Sequence, residues 1–132
     1  MKIGVVGSRS FTDFWRMVKE LDKLDLAVTD VIVSGGCPKG ADYLAERYAR
    51  YRKHPVKIFP ADWKQYGKAA GLKRNLEIIE YCDMVVVFWD GISRGSAHVI
   101  SNCMSKGKPV NIIFFGEPSG IRAAGSPKRV LR

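Results

Sequence analysis

Two rhythms of apolar residues alternate along this chain. Short, nearly uninterrupted apolar runs are separated by longer stretches in which apolar residues return every third or fourth position. The runs "KIGVVG" (residues 2–7), "DVIVS" (30–34), "VKIF" (56–59), "DMVVVFW" (83–89) and "PVNIIFF" (109–115) predict five strands. Between them, Phe14, Val18, Leu21 and Leu24 predict a helix that starts near Thr12 as its N-cap. Ala41, Leu44, Ala45, Tyr48 and Ala49 make the face of a second helix. Ala69, Leu72, Leu76 and Ile79 predict a third that runs to about Tyr81, and Val99, Ile100 and Cys103 a fourth over residues 96–105.

Strands that are apolar throughout suit a parallel sheet buried on both faces, and right-handed crossovers then put helices on both sides. The expected fold is therefore α/β: a three-layer, doubly wound, Rossmann-like sheet of about five mainly parallel strands, without internal repeats. After Gly116 the sequence "EPSGIRAAGSP" is rich in turn residues. This divides the chain into a domain over residues 1–116 and an irregular, basic tail over 117–132.

With 132 residues and 46% hydrophobic composition, a single globular domain is the expectation. No apolar run approaches the roughly 20 residues of a membrane span, and the N-terminal run is too short for a signal peptide. Both point to a cytoplasmic protein without membrane association. The three cysteines, Cys37, Cys82 and Cys103, form no CxxC, so neither a zinc site nor a disulfide framework is signalled. No metal or cofactor is expected. The net charge of +9, with Arg122, Lys128, Arg129 and Arg132 in a tail segment free of acids, attracts polyanions and free nucleotides alike.

In doubly wound sheets, ligands bind beyond the carboxyl ends of the strands. Three strand-to-helix loops have a composition suited to such binding, namely "GSRSF" (7–11), "SGGCPKGAD" (34–42) and "DGISRGS" (90–96). Glycines let backbone amides approach an anion, and a following helix adds free N–H groups and the positive end of its dipole. Gly35, Gly36 and Gly40 suit one such cradle, and Gly95 with Ser96 another. The spacing is neither GxGxxG nor GxxxxGK[ST], because Lys39 precedes the last glycine of its loop. ATP hydrolysis is therefore not inferred. Asp42, near a helix start, has two readings: a carboxylate favoured by the dipole, or an acceptor for a ribose hydroxyl. Arg74 and Asn75 in "GLKRN" suit phosphate and a base edge, or are ordinary surface residues. The aromatics Trp63, Tyr66 and Trp89 near Asp62 and Asp90 suit base stacking, or the rim of a core. His98 has no serine or cysteine partner at a triad spacing.

Taken together, "GSRSF", "SGGCPKGAD", "FPADWKQYGKAAGLKRN" and "FWDGISRGSAHVI" resemble the small, single-domain YspA/YpsA-related family of the SLOG superfamily, which joins Lonely Guy phosphoribohydrolases with the DNA-processing protein DprA. The likeness runs over about residues 2–114. It implies a Rossmann-like dimer that holds a nucleotide-derived ligand. By motif position, Gly7, Ser8 and Arg9 would line the first loop, and Gly35, Gly36, Lys39, Gly40 and Asp42 the second. Arg74 and Asn75 would come from the adjoining helix, and Asp90, Ser93, Gly95 and Ser96 from the last loop. One departure concerns catalysis. The glutamate of the Lonely Guy PGGxGTxxE signature falls on Val99, so Asp42 and Asp90 are the candidate catalytic carboxylates. Three functions follow as expectations: a nucleotide-binding or sensing module, in signalling, stress response or the conflict of phage and host; a nucleotide hydrolase of phosphoribohydrolase type; or a nucleic-acid binder that uses the basic surface and tail.

Overall fold

Strand and helix alternate from the first residues onward in the structure, a computed structural model that describes residues 1–116. The elements are β1 (Lys2–Gly7), α1 (Phe14–Asp22), β2 (Val31–Ser34), α2 (Ala41–Arg52), β3 (Val56–Ile58), α3 (Trp63–Tyr66), a 3-10 turn (Gly67–Ala69), α4 (Ala70–Tyr81), β4 (Met84–Trp89), α5 (Arg94–Lys106) and β5 (Val110–Phe114). The five strands form one sheet in the order β3-β2-β1-β4-β5, and every neighbouring pair is parallel. Consecutive elements wind outward from β1 in one direction and then from β4 in the other, so the switch point of the topology lies between these two strands. The tail expected over 117–132 lies outside the described residues.

The strand pattern divides the core into two layers. Ile3 and Val5 of β1 and Val86 and Phe88 of β4 face Phe14, Met17 and Leu21 of α1 and Leu44, Ala45 and Tyr48 of α2. On the opposite face, Val6, Val85 and Val87 pack against Ile78 and Ile79 of α4 and Val99, Ile100 and Cys103 of α5. The inner strands β1 and β4 are thus apolar on both sides, as a parallel sheet requires. The edge strand β3 departs from that rule: Val56 and Ile58 are 40% and 41% exposed.

Local signals were legible to within a residue or two. The cap of α1 is Asp13 rather than Thr12; its carboxylate accepts the Arg16 N–H at 3.0 Å. The larger correction concerns α4. Leu72 and Leu76 are exposed, while Ala70, Asn75, Ile78 and Ile79 are buried. The buried row lies about one residue around the helix from the expected one, a rotation of about 100° that the apolar pattern alone tolerated. The segment α3 and its 3-10 turn, unforeseen in the sequence, bury none of their residues and lead directly into α4.

The carboxyl edge of the sheet is closed by backbone contacts between loops. The N–H of Ser8 donates to Phe88 O at 2.9 Å, and the N–H of Ala41 donates to Ser8 O at 3.1 Å. Gly40 makes the second contact feasible. Its φ is +78° with ψ −154°, and a Cβ there would lie 2.4 Å from Arg9 Cα. Gly40→Ala should therefore cost about 3 kcal/mol in stability, since the strained backbone and the overlap add. Thermal denaturation checks this against Gly95→Ala, where a Cβ meets nothing within 4 Å and the melting temperature should hold or rise slightly.

Candidate functional site

A cavity of about 520 Å³ opens at the carboxyl ends of β1, β2 and β4, over the switch point. Each loop reaches it because the strand before it is buried and the helix after it turns away. Of the residues expected from the sequence, Gly7, Ser8, Arg9, Gly35, Asp42, Arg74, Asn75, Asp90, Ser93, Gly95 and Ser96 line this cavity. Gly36, Lys39 and Gly40 lie outside its lining. Gly40 serves the loop contact described above, and a Cβ at Gly36 would press on Ile58 of β3 at 2.9 Å.

Asp90 staples two loops together. Its Oδ1 accepts the N–H groups of Ile92 and Ser93, each at 2.8 Å, and its Oδ2 accepts the Ser10 hydroxyl at 3.3 Å. Its own N–H donates to Ser8 Oγ at 3.2 Å. Partial burial alone would push this carboxyl up, but the N–H groups of Ser93 and Ile92 and the hydroxyls of Ser8 and Ser10 outweigh it and hold the pKa below the ordinary value. Asp90 therefore stays ionised at neutral pH. The loop it shapes ends at Ser93, which caps α5, and the first turn of that helix faces the cavity through Gly95 and the buried Ser96.

Asp42 sits in the opposite electrostatic setting. Its side chain is buried at the start of α2 and accepts the Cys37 N–H at 3.3 Å. Among the described residues no cation comes within ion-pair distance of it. Burial pushes its pKa up and Glu46 adds to the rise; the Cys37 hydrogen bond and the charges of Arg74 and Arg9 oppose it, and the net value is about 6.

Arg74 crosses from α4 to the second loop, where its Nη1 donates to Gly35 O while its Nε donates to Asn75 Oδ1 at 3.0 Å. Gly35 has no room for a side chain: a Cβ would lie 2.7 Å from both Arg74 Nη1 and Asp42 Oδ2. The absence of a Cβ brings guanidinium and carboxyl to either side of one backbone position.

The sequence reading missed several lining residues. Ser10, Cys37, Lys68 and Leu72 all face the cavity, as does Trp63, for which the sequence left both stacking and a rim position open. Lys68 and Trp63 lie in a segment whose motif was recognisable, but no period identifies which side chains of an irregular stretch turn inward. Val99, the position of the Lonely Guy glutamate, lines the same cavity and is almost wholly buried in the core below it. Three cations, Arg9, Lys68 and Arg74, thus share one cleft with two carboxylates of unlike pKa and an exposed indole. Among the described residues no helix is long and apolar enough to cross a membrane, and no group of three or more His, Cys, Asp or Glu is placed to hold a metal ion.

Comparison with known proteins adds kinship to this geometry. The model of the YspA, cpYpsA-related SLOG family matches residues 1–66, from β1 through α3. Among curated proteins, the "Gene 61 protein" of Mycobacterium phage D29 is 32% identical over 123 residues, covering 88% of this chain and 97% of the phage protein. No solved structure matches significantly.

The burial of Asp42 without an ion pair has a measurable consequence for stability. Because the fold raises its pKa from 3.8 to about 6, the native state holds the proton more tightly than the unfolded chain. Stability contributed through this group is full below about pH 4 and falls as pH rises to about 6, by on the order of 3 kcal/mol. Asp42→Asn removes that titration. In denaturant unfolding at pH 4.5 and pH 7.5, about one pH unit or more on either side of the Asp42 midpoint, the variant should gain stability relative to the native protein at the higher pH.

Proposed function

Since the chain belongs to the YspA, cpYpsA-related SLOG family, we propose that its cleft binds a nucleotide or nucleotide-derived ligand, as a sensing or binding module. The observation that carries this reading is the joint presence of Arg9, Lys68 and Arg74, the α5 N-terminus and an exposed tryptophan around one cavity at the switch point of the sheet. Cations and free helix amides suit phosphate; an exposed aromatic suits a base. In this reading Arg74 is the principal phosphate contact, being fixed in place by Gly35 and Asn75 before any ligand arrives. The apolar Val99 on the cavity floor, where Lonely Guy enzymes carry a carboxylate, favours binding over N-glycosidic cleavage.

Hydrolysis is the second reading, favoured by one observation. Asp42, its pKa raised to about 6, keeps a protonated fraction towards neutral pH that would serve a leaving group, while Asp90 stays ionised, and such divergent carboxylates suit acid catalysis. Chromatographic product analysis on nucleoside monophosphates decides between the two readings. The nucleic-acid reading rests on the net charge and the tail, and the described residues add nothing to it.

Two outcomes test the binding reading. Native mass spectrometry of freshly purified protein, or equilibrium dialysis against a nucleotide panel, should show a bound nucleotide below millimolar concentration; no ligand in that range refutes the reading. Arg74→Ala should then weaken nucleotide binding about 10- to 100-fold, because one charge-assisted phosphate contact is lost. Affinity should also fall as pH rises from 5 to 8, since ionised Asp42 repels the incoming phosphate. Asp42→Asn should flatten that dependence. The phosphate's own ionisation near pH 6 acts on both proteins and cancels in the comparison.

A further inference from the structure

Trp63 is out of place as a structural residue. The residue is 54% exposed, and it begins a four-residue helix that buries none of its residues. Trp15, also exposed, pairs edge-on with Phe14 and Tyr51. Trp63 has no aromatic partner among the described residues. Much of this residue therefore faces water, at the cavity that it lines.

The ring lies close to α4. A methyl group at Gly71 of α4 would lie 3.4 Å from Trp63 Cη2 and 4.0 Å from Cζ2, and 3.8 Å from Arg74 Nη2. The indole and the Arg74 guanidinium thus flank one backbone position on α4, and Lys68, from the same short segment as Trp63, completes that wall. A nucleotide that placed its phosphate on Arg74 would bring its base, one ribose away, beside the indole.

We propose that Trp63 is the platform on which the ligand's base stacks, and that the cleft thereby selects purine over pyrimidine nucleotides. The inference rests on the nucleotide-binding reading and deepens it by naming the ligand class. A bicyclic base covers more of the bicyclic indole than a pyrimidine does, and stacked area sets the strength of such contacts. Stacking also removes from water the apolar surface that folding leaves exposed on Trp63.

The test is isothermal titration of the full chain and two variants, Trp63→Ala and Trp63→Phe, with adenosine 5′-monophosphate, uridine 5′-monophosphate and ribose 5-phosphate. The native protein should bind the adenosine nucleotide more tightly than the uridine one. Trp63→Ala should lose about 10- to 100-fold in affinity for adenosine monophosphate, with ribose 5-phosphate unchanged. Trp63→Phe should recover most of the loss, because a smaller aromatic face still stacks. The melting temperature of Trp63→Ala should stay close to the native value, as expected for an exposed side chain. Unchanged adenosine affinity in Trp63→Ala overturns the proposal and leaves the nucleotide reading standing. An equal loss for ribose 5-phosphate also overturns it, since Trp63 would then act by positioning the segment. A native protein that binds no nucleotide overturns both.

Discussion

The carboxyl edge of the sheet depends on how closely three loops approach one another. Ser8 is the centre of that arrangement: its N–H reaches Phe88 O of β4, its carbonyl takes the N–H of Ala41, and its hydroxyl takes the N–H of Asp90. The side chain is almost wholly buried, so these are bonds the fold cannot replace with water. Gly40 allows the approach on one side and Asp90 secures it on the other.

On this rigid frame the electrostatics are unequal. Asp90 receives two N–H groups and a hydroxyl and is held ionised, in a role that shapes the loop. Asp42 receives one N–H and is buried, so its charge is costly. Arg74, on the far side of Gly35, directs its hydrogen bonds to a backbone carbonyl and to Asn75 rather than to Asp42. An anion entering the cleft would meet a guanidinium already oriented and a carboxyl able to take up a proton. Sites that bind anions often couple to protonation in this way, because a neutralised neighbour no longer repels the charge.

The site divides between a fixed wall and an exposed one. The first two loops and the α5 start are tied to the sheet, whereas α3 and its 3-10 turn bury nothing. The family match covers residues 1–66 and so the first two loops, while the likeness to the phage protein extends over most of the chain. In the proposed reading, the tied wall offers Arg9 and the α5 amides to a phosphate that Arg74 of α4 holds from the other side. The exposed wall contributes Trp63 and Lys68, which in the proposed reading distinguish one ligand from another.

By itself the sequence determined the five strands, the long helices to within a residue or two, and the three loops that meet at the site, since each of these depends on neighbours a few positions away. Periodicity reports which residues avoid water, and in β1, β4 and α2 the same residues pack into the core. It misjudged α4, where a polar Asn75 is buried and Leu72 faces the cleft, because a helix stripe one residue to the side fits the pattern almost as well. Only the tertiary structure decided the strand order, the burial that lifts the Asp42 pKa, and the placement of Trp63 and Arg74 about Gly71. The first two arise between segments far apart in the chain, and the third between an irregular stretch and the helix that follows it. They depend on which crossover packs on which face and on how much water is excluded there, and no local pattern of residues carries that information.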